Sequence, residues 1–252
     1  MPLVKTTAII LRSRKWGEAD RIITFYSKSL GKIRGIARGA RRQKSRFGGA
    51  IEPFSVCRLN LFEKAGDSLF RISHVDLVRS SQVLREDLRL MASAARMVNV
   101  VAAITPDGDP DPLLFDTLEQ GLAALPESED STFTALLFQI RLLGLTGFRP
   151  QTDQCAACGK TKFVGAPHFS PMAGGLVCLT CTAHQRIQCV AFSRGSLLFL
   201  QQAIRLAPTL LPRLRATGQV RNEVEEAIEG YVTVVAGKRL PPVDFLSLAL
   251  PG

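Results

Sequence analysis

Four of the six cysteines in this 252-residue chain are spaced for metal chemistry. Cys155-x2-Cys158 and Cys178-x2-Cys181 are two knuckles separated by 19 residues. Together they offer four thiolates, the set that tetrahedral Zn²⁺ accepts in closed structural sites. Gly159 follows the first knuckle and frees backbone N–H groups to approach sulfur, whereas Thr182 follows the second. A catalytic zinc keeps an open position and usually draws on histidine or carboxylate. His-x-Glu and His-Glu-x-x-His are both missing: Asp76, Ser170 and Arg186 stand two residues after His74, His168 and His184. Residues 155–181 carry only Lys160 and Lys162 as charged side chains, which the net −2 of Zn²⁺ with four thiolates would cancel. The expectation is one structural zinc in a neutral module, with His184 and Cys189 outside the ligand set.

The second constellation is Lys28, Lys32, Arg34, Arg38, Arg41, Arg42, Lys44 and Arg46, with no acid between them. Residues 1–50 hold thirteen basic residues against Glu18 and Asp20, a net +11, while the other 202 residues net −1. A charge excess concentrated in one region points to a polyanionic partner, nucleic acid first. Lys32, Arg34, Arg38, Arg41, Arg42, Lys44 and Arg46 are the expected DNA-binding residues. Alternation places Lys32 and Arg34 outside and Ile33 inside, with Gly35 a candidate bulge before Arg38. Arg41 to Gly49 reads as a mobile basic loop, and Trp16 or Phe47 could offer a base-stacking face. Nucleotide-hydrolysing motifs are absent: Gly159-Lys160-Thr161 has Gln154 where a phosphate loop needs glycine. Glu223, Glu225, Glu226 and Glu229 read as a solvated helix face, and no catalytic constellation emerges.

The elements that must position these residues change period along the chain. Thr6–Arg14, Arg21–Ser27, Lys32–Arg38, Val56–Phe62 and Leu69–Val75 read as five short strands, with Gly17, Gly31, Gly48–Gly49 and Gly66–Asp67 at the turns. Such a set fits a small closed barrel of the OB type, and an SH3-like barrel gives a similar pattern. From Gln82, Leu84, Leu88, Met91, Ala95, Val98 and Val101 trace one long amphipathic helix. Asp111–Pro112 starts a helix to about Leu125, Ser131 to Leu145 forms the next, Ser193 caps another through Leu206, and Arg221 to Ala236 makes the last. Gln151 to Cys189 reads as irregular loops with a short hairpin. No apolar run nears the ~18 residues of a membrane span, and no export signal is seen, so a cytoplasmic, nucleoid-associated chain with reduced cysteines is expected.

The ordered motifs resemble the bacterial recombination mediator family RecO. Trp16-Gly17-Glu18-Ala19-Asp20-Arg21, Gly31-Lys32 and Ala37-Arg38-Gly39-Ala40-Arg41-Arg42 resemble its barrel. Phe138-x2-Arg141-Leu142-Leu143-x-Leu145-x-Gly147-Phe148-x-Pro150 leads into Cys155-x2-Cys158-Gly159, then Gly174-Gly175-x2-Cys178-x2-Cys181. Tyr231, Gly237-Lys238-Arg239-Leu240 and Phe245-Leu246 resemble its last helix and tail. The resemblance implies an α+β chain: an N-terminal OB-type β-barrel over 1–80, a helical bundle domain begun in 81–150, a four-cysteine zinc-ribbon-like insertion at 151–190, and the bundle and tail completed by 191–252. It further implies a non-enzymatic role in DNA repair and recombination. That role is binding single- and double-stranded DNA, annealing complementary strands, and working with RecR (and RecF) to load RecA on strands coated by single-strand-binding protein (SSB).

Two other classes fit parts of the pattern. A zinc-containing regulator would read a specific nucleic-acid sequence, which footprinting on random DNA would reveal. A zinc hydrolase would cut labelled strands, although a closed four-cysteine shell argues against it.

Overall fold

The computed structural model describes residues 3–63, 69–163, 165–185 and 188–240. The expected turn at Gly66–Asp67 and the tail motif Phe245-Leu246 lie outside the described residues. Two compact units divide the chain, one holding the described residues up to Thr132 and the other Phe133–Leu240.

In the first unit, β1 (Leu3–Trp16), β2 (Asp20–Ser27), β3 (Gly31–Ala37), β4 (Val56–Phe62) and β5 (Phe70–Arg79) close into a barrel ordered β1-β2-β3-β5-β4. All pairings are antiparallel except β3 with β5, which is parallel. This non-sequential order is that of an OB-type Greek-key barrel. Strand alternation explains the core. Ile33 and Ala37 on β3 point inward between Lys32, Arg34 and Ile36, while Cys57, Leu59 and Leu61 on β4 join Ala8, Ile10, Ile23 and Phe25. β1 is long because its first half pairs with β4 and its second half with β2.

Gly35 is not a bulge. The β2–β3 register runs unbroken from Ser27↔Gly31 to Arg21↔Ala37, and Gly35 instead lies where β5 crosses, paired with Phe70. A Cβ there would press on the Ile72 side chain and the Phe70 carbonyl, so the glycine permits barrel closure. The register shifts fall elsewhere, in β1 between Ile10 and Arg12 and in the β4–β5 pairing at Val56/Cys57 and Asn60/Leu61.

The expected long helix from Gln82 is two helices, α1 (Gln82–Glu86) and α2 (Leu88–Ile104). Asp87 has extended backbone, and its carboxylate accepts from the Arg89 and Leu90 N–H groups, so it caps α2 instead of continuing α1. Leu88, expected on the apolar stripe, is consequently exposed, while Met91, Ala95, Val98 and Val101 are buried. Asp111 caps α3 (Pro112–Ala124), accepting from Leu113 and Leu114 with Pro112 in the first turn. The connector before α3 is held to the barrel: Gly108 N–H donates to the Lys32 carbonyl and Asp111 N–H to the Tyr26 hydroxyl.

α4 (Ser131–Leu145) begins at the boundary and buries Phe133 through Ile140 without a break. The second unit also holds α5 (Leu179–Gln185), α6 (Arg194–Arg205, capped by Ser193) and α7 (Gly218–Val235). A small sheet is ordered β7-β6-β8, from β6 (His168–Ser170), β7 (Gly175–Val177) and β8 (Val190–Ala191). The expected hairpin is β6–β7, α5 adds regular structure where loops were expected, and β8 follows directly after that run. Phe169 on β6 packs against Phe192 at 5.6 Å and edge-on against Tyr231 of α7 at 6.1 Å, anchoring the sheet to that helix. Glu223 departs from the expected solvated face. It is only 9% exposed, because its carboxylate turns toward the start of α6.

Candidate metal centre and nucleic-acid interface

Cys155 and Cys158 lie in a turn after α4, Cys178 directly follows β7, and Cys181 sits in the first turn of α5. Their four Sγ atoms lie within 4.8 Å of one another, a grouping that excludes His184 and Cys189. Local backbone shapes the set. Gly159 N–H donates to the Cys155 carbonyl at 2.9 Å, closing the knuckle, and Cys178 N–H points at the Cys155 sulfur at 3.4 Å. Gly175 has no room for a Cβ against the Gln151 backbone, to which Gly174 and Leu176 are hydrogen-bonded. That contact brings the segment before the first knuckle onto the hairpin before the second.

Burial works against a charged Cys155, but N–H donors from Cys178, Cys158 and Ala157 outweigh it and bring the thiol down to about 6. Cys181 is pushed up to about 12, first by sharing its proton with Cys178 and then by burial. Four sulfurs this close cannot all be thiolates without a cation among them, and the geometry is compatible with a metal site. Cys57 has no part in it: its thiol lies in the barrel core, donates to the Ala50 carbonyl, and is driven up to about 12 by burial.

The basic segment divides in two. Lys28 meets Asp116 at 2.7 Å, Lys32 meets Asp107 at 3.3 Å, and Arg34 faces the same carboxylate at 3.7 Å. These acids come from α3 and its connector, remote in sequence, and balance part of the charge. Lys32 is outward-facing as expected, but only 14% of its side chain is exposed, and its ammonium donates to the Ala102 and Thr105 carbonyls at the end of α2. Arg38, Arg42, Lys44 and Arg46 are exposed and make no ion pair among the described residues.

The segment after β3 is a run of hydrogen-bonded turns. Arg42 N–H donates to Gly39, Ser45 N–H to Arg42 and Ala50 N–H to Phe47, leading into a short 3-10 turn at Gly48–Ile51. Phe47 is buried in the barrel core with Ile51, and Arg46 covers its ring at 5.0 Å, so Phe47 has no face for a base. Arg41 fixes the start of the segment. Its backbone N–H donates to Ala19, and its guanidinium to the Gly17 and Glu18 carbonyls at 3.2 and 2.9 Å.

Strand register adds cations that the sequence did not flag. Arg14 pairs with Ile22, Ile22 with Ile36, and Ile36 with Arg71. Directly paired residues share a face, so one outer rung across four strands carries Arg14, two half-buried isoleucines and Arg71. Arg34 stands on the neighbouring rung, opposite Thr24. This open face is continuous with the turns bearing Arg38 and Arg42, and it can neutralise phosphates along a backbone without reading bases.

Comparisons with known proteins cover both units. A family model described as Recombination protein O N terminal matches residues 1–81, and one described as Recombination protein O C terminal matches residues 85–242. The chain belongs to the recombination protein O family. It is 33% identical over 240 residues to DNA repair protein RecO of Myxococcus xanthus, covering 95% of each chain. It is 34% identical over 251 residues to the protein of the same name from Syntrophobacter fumaroxidans, covering 99% of each. The two family segments meet beside α1, just after the barrel closes.

Family membership agrees with the expected α+β architecture, the OB-type barrel and a role in recombinational repair. No helix among the described residues is long and apolar enough to cross a membrane. Sequence reasoning overlooked Arg14 and Arg71 because it weighed only the contiguous basic run. A cue existed for the first, in the cluster Arg12, Arg14 and Lys15; Arg71 is isolated between Phe70 and Ile72.

Proposed function

We propose that this protein is a non-enzymatic recombination mediator. It binds single- and double-stranded DNA through the outer barrel face and the turns after β3, anneals complementary strands without ATP, and acts with RecR (and RecF) to load RecA onto SSB-coated DNA. The observation that carries the reading is the rung of Arg14 and Arg71 beside the exposed Arg38, Arg42, Lys44 and Arg46. Cations spread over a barrel face neutralise two polyanionic strands at once and lower the repulsion that keeps them apart. Of the segment expected to bind DNA, Arg34, Arg38, Arg42, Lys44 and Arg46 face phosphates, while Lys32 and Arg41 position the surface. On this reading Cys155, Cys158, Cys178 and Cys181 hold one Zn²⁺, whose contribution is to fasten knuckle, hairpin and α5 together.

Annealing of labelled complementary strands saturated with cognate SSB tests this. A mediator that engages the coat protein anneals those strands and loses the activity when the coat protein's acidic C-terminal tail is removed. A generic polycation anneals bare strands and ignores the tail, and that outcome would contradict the reading.

A further inference from the structure

The tip of the β1–β2 hairpin carries Trp16, the only tryptophan in the chain, and the residue is 57% exposed. Burying an indole contributes more than burying almost any other side chain, so leaving one in water forgoes a large stabilisation. Among the described residues no ring or cation lies over Trp16, and its N–H meets no acceptor.

Its surroundings are specific. Trp16 follows Arg14 by two residues, so both stand on the outer barrel face. Lys15 is exposed between them. The hairpin turn is stapled to the basic segment by Arg41, which donates to the Gly17, Glu18 and Ala19 carbonyls, and by Asp20, whose carboxylate accepts from Gly39 N–H at 2.8 Å. The staple occupies the Asp20 carboxylate and leaves Glu18 as the exposed acid of the turn. It also holds the indole at the edge of the surface carrying Arg38 and Arg42.

We infer that Trp16 is a stacking platform for an unpaired nucleobase, set at the end of the phosphate-neutralising face. This rests on the DNA-binding reading above and deepens it. Cations hold any phosphate backbone, single or double, whereas an exposed aromatic face rewards only a base free of its neighbours. Duplex bases already stack on one another and offer no free face. Trp16 therefore gives a sequence-indifferent surface a preference for single strands.

The test exploits the single tryptophan. Binding of a labelled oligothymidine and of a blunt duplex is followed by anisotropy, while indole emission is recorded in parallel on unlabelled DNA. Oligothymidine quenches the indole, whereas duplex binds with little quenching. Trp16→Ala weakens single-strand binding by roughly 5- to 150-fold, the range for loss of one base–aromatic stack. Duplex affinity stays within about twofold, Trp16→Phe restores most of the loss, and the melting temperature is unchanged. Single-strand binding with a silent indole, or equal losses on single strands and duplex, would overturn the inference alone. Absence of any binding by anisotropy would bring down the DNA-binding reading and this inference with it.

Discussion

Glu223 on α7 accepts the Ser193 backbone N–H at 2.7 Å and the Ser196 hydroxyl at 2.5 Å, so one buried carboxylate caps the N-terminus of a neighbouring helix. Gln219 donates to its other oxygen at 2.6 Å. Burial alone would raise this carboxyl's pKa. The hydrogen bonds from Ser196, the Ser193 N–H, Gln219 and the Ser193 hydroxyl outweigh burial and hold it below the ordinary glutamate range.

A depressed carboxyl pKa stabilises the fold above the unfolded value, about 4.3, and that stabilisation is lost as pH falls through the folded pKa. Glu223→Ala should destabilise the second unit by about 1–3 kcal/mol at neutral pH, because it strands buried donors. Urea denaturation across pH should show the gap between parent and Glu223→Gln shrinking below about pH 4. A gap that widened there would contradict the assignment.

The cysteine cluster predicts a stoichiometric metal. Structural zinc contributes ~10–16 kcal/mol of apparent binding free energy, comparable with the ~5–15 kcal/mol stability of a whole domain. Purified protein should carry one zinc per chain by metal analysis. Cys155→Ser combined with Cys158→Ser should remove it and markedly lower the melting temperature. Zinc-free protein, or a double variant with unchanged melting, would count against a metal role.

Lys32 and Arg38 are separated by only five residues between them in sequence, yet they should fail differently. Lys32→Ala exposes the unpaired Ala102 and Thr105 carbonyls at the end of α2 and should cost about 1–3 kcal/mol of stability. Arg38→Ala should stay within about 0.5 kcal/mol of the parent, as expected of a surface change, while weakening DNA binding. Paired melts and binding curves check this. Equal stability in the two variants would show that Lys32 does not fasten α2.

What the sequence disclosed follows how local each signal is. The barrel strands were legible because period-two alternation and glycine turns act within a few residues, as on β4 with Cys57, Leu59 and Leu61. The cysteine pairs were legible for the same reason, each knuckle being one turn of chain. The break at Asp87 was not, since Leu84, Met91 and Ala95 keep helical spacing across it and only the cap geometry shows the stop. Long-range meetings were hidden altogether. Asp107 and Asp116 meet cations of the basic segment, Arg71 reaches the rung of Arg14, and Glu223 turns inward, each through tertiary placement that no local pattern encodes.

The salt dependence of single-strand affinity tests the central claim, that the outer barrel face and the turns after β3 bind DNA through phosphates. With about six cations engaged, the logarithm of the association constant against log salt should give a slope of roughly −4. Arg38→Glu, Arg42→Glu and Lys44→Glu together should weaken binding to all sequences alike and flatten the slope to about −2. A parent slope near zero, or a triple variant that keeps both affinity and slope, would contradict the account.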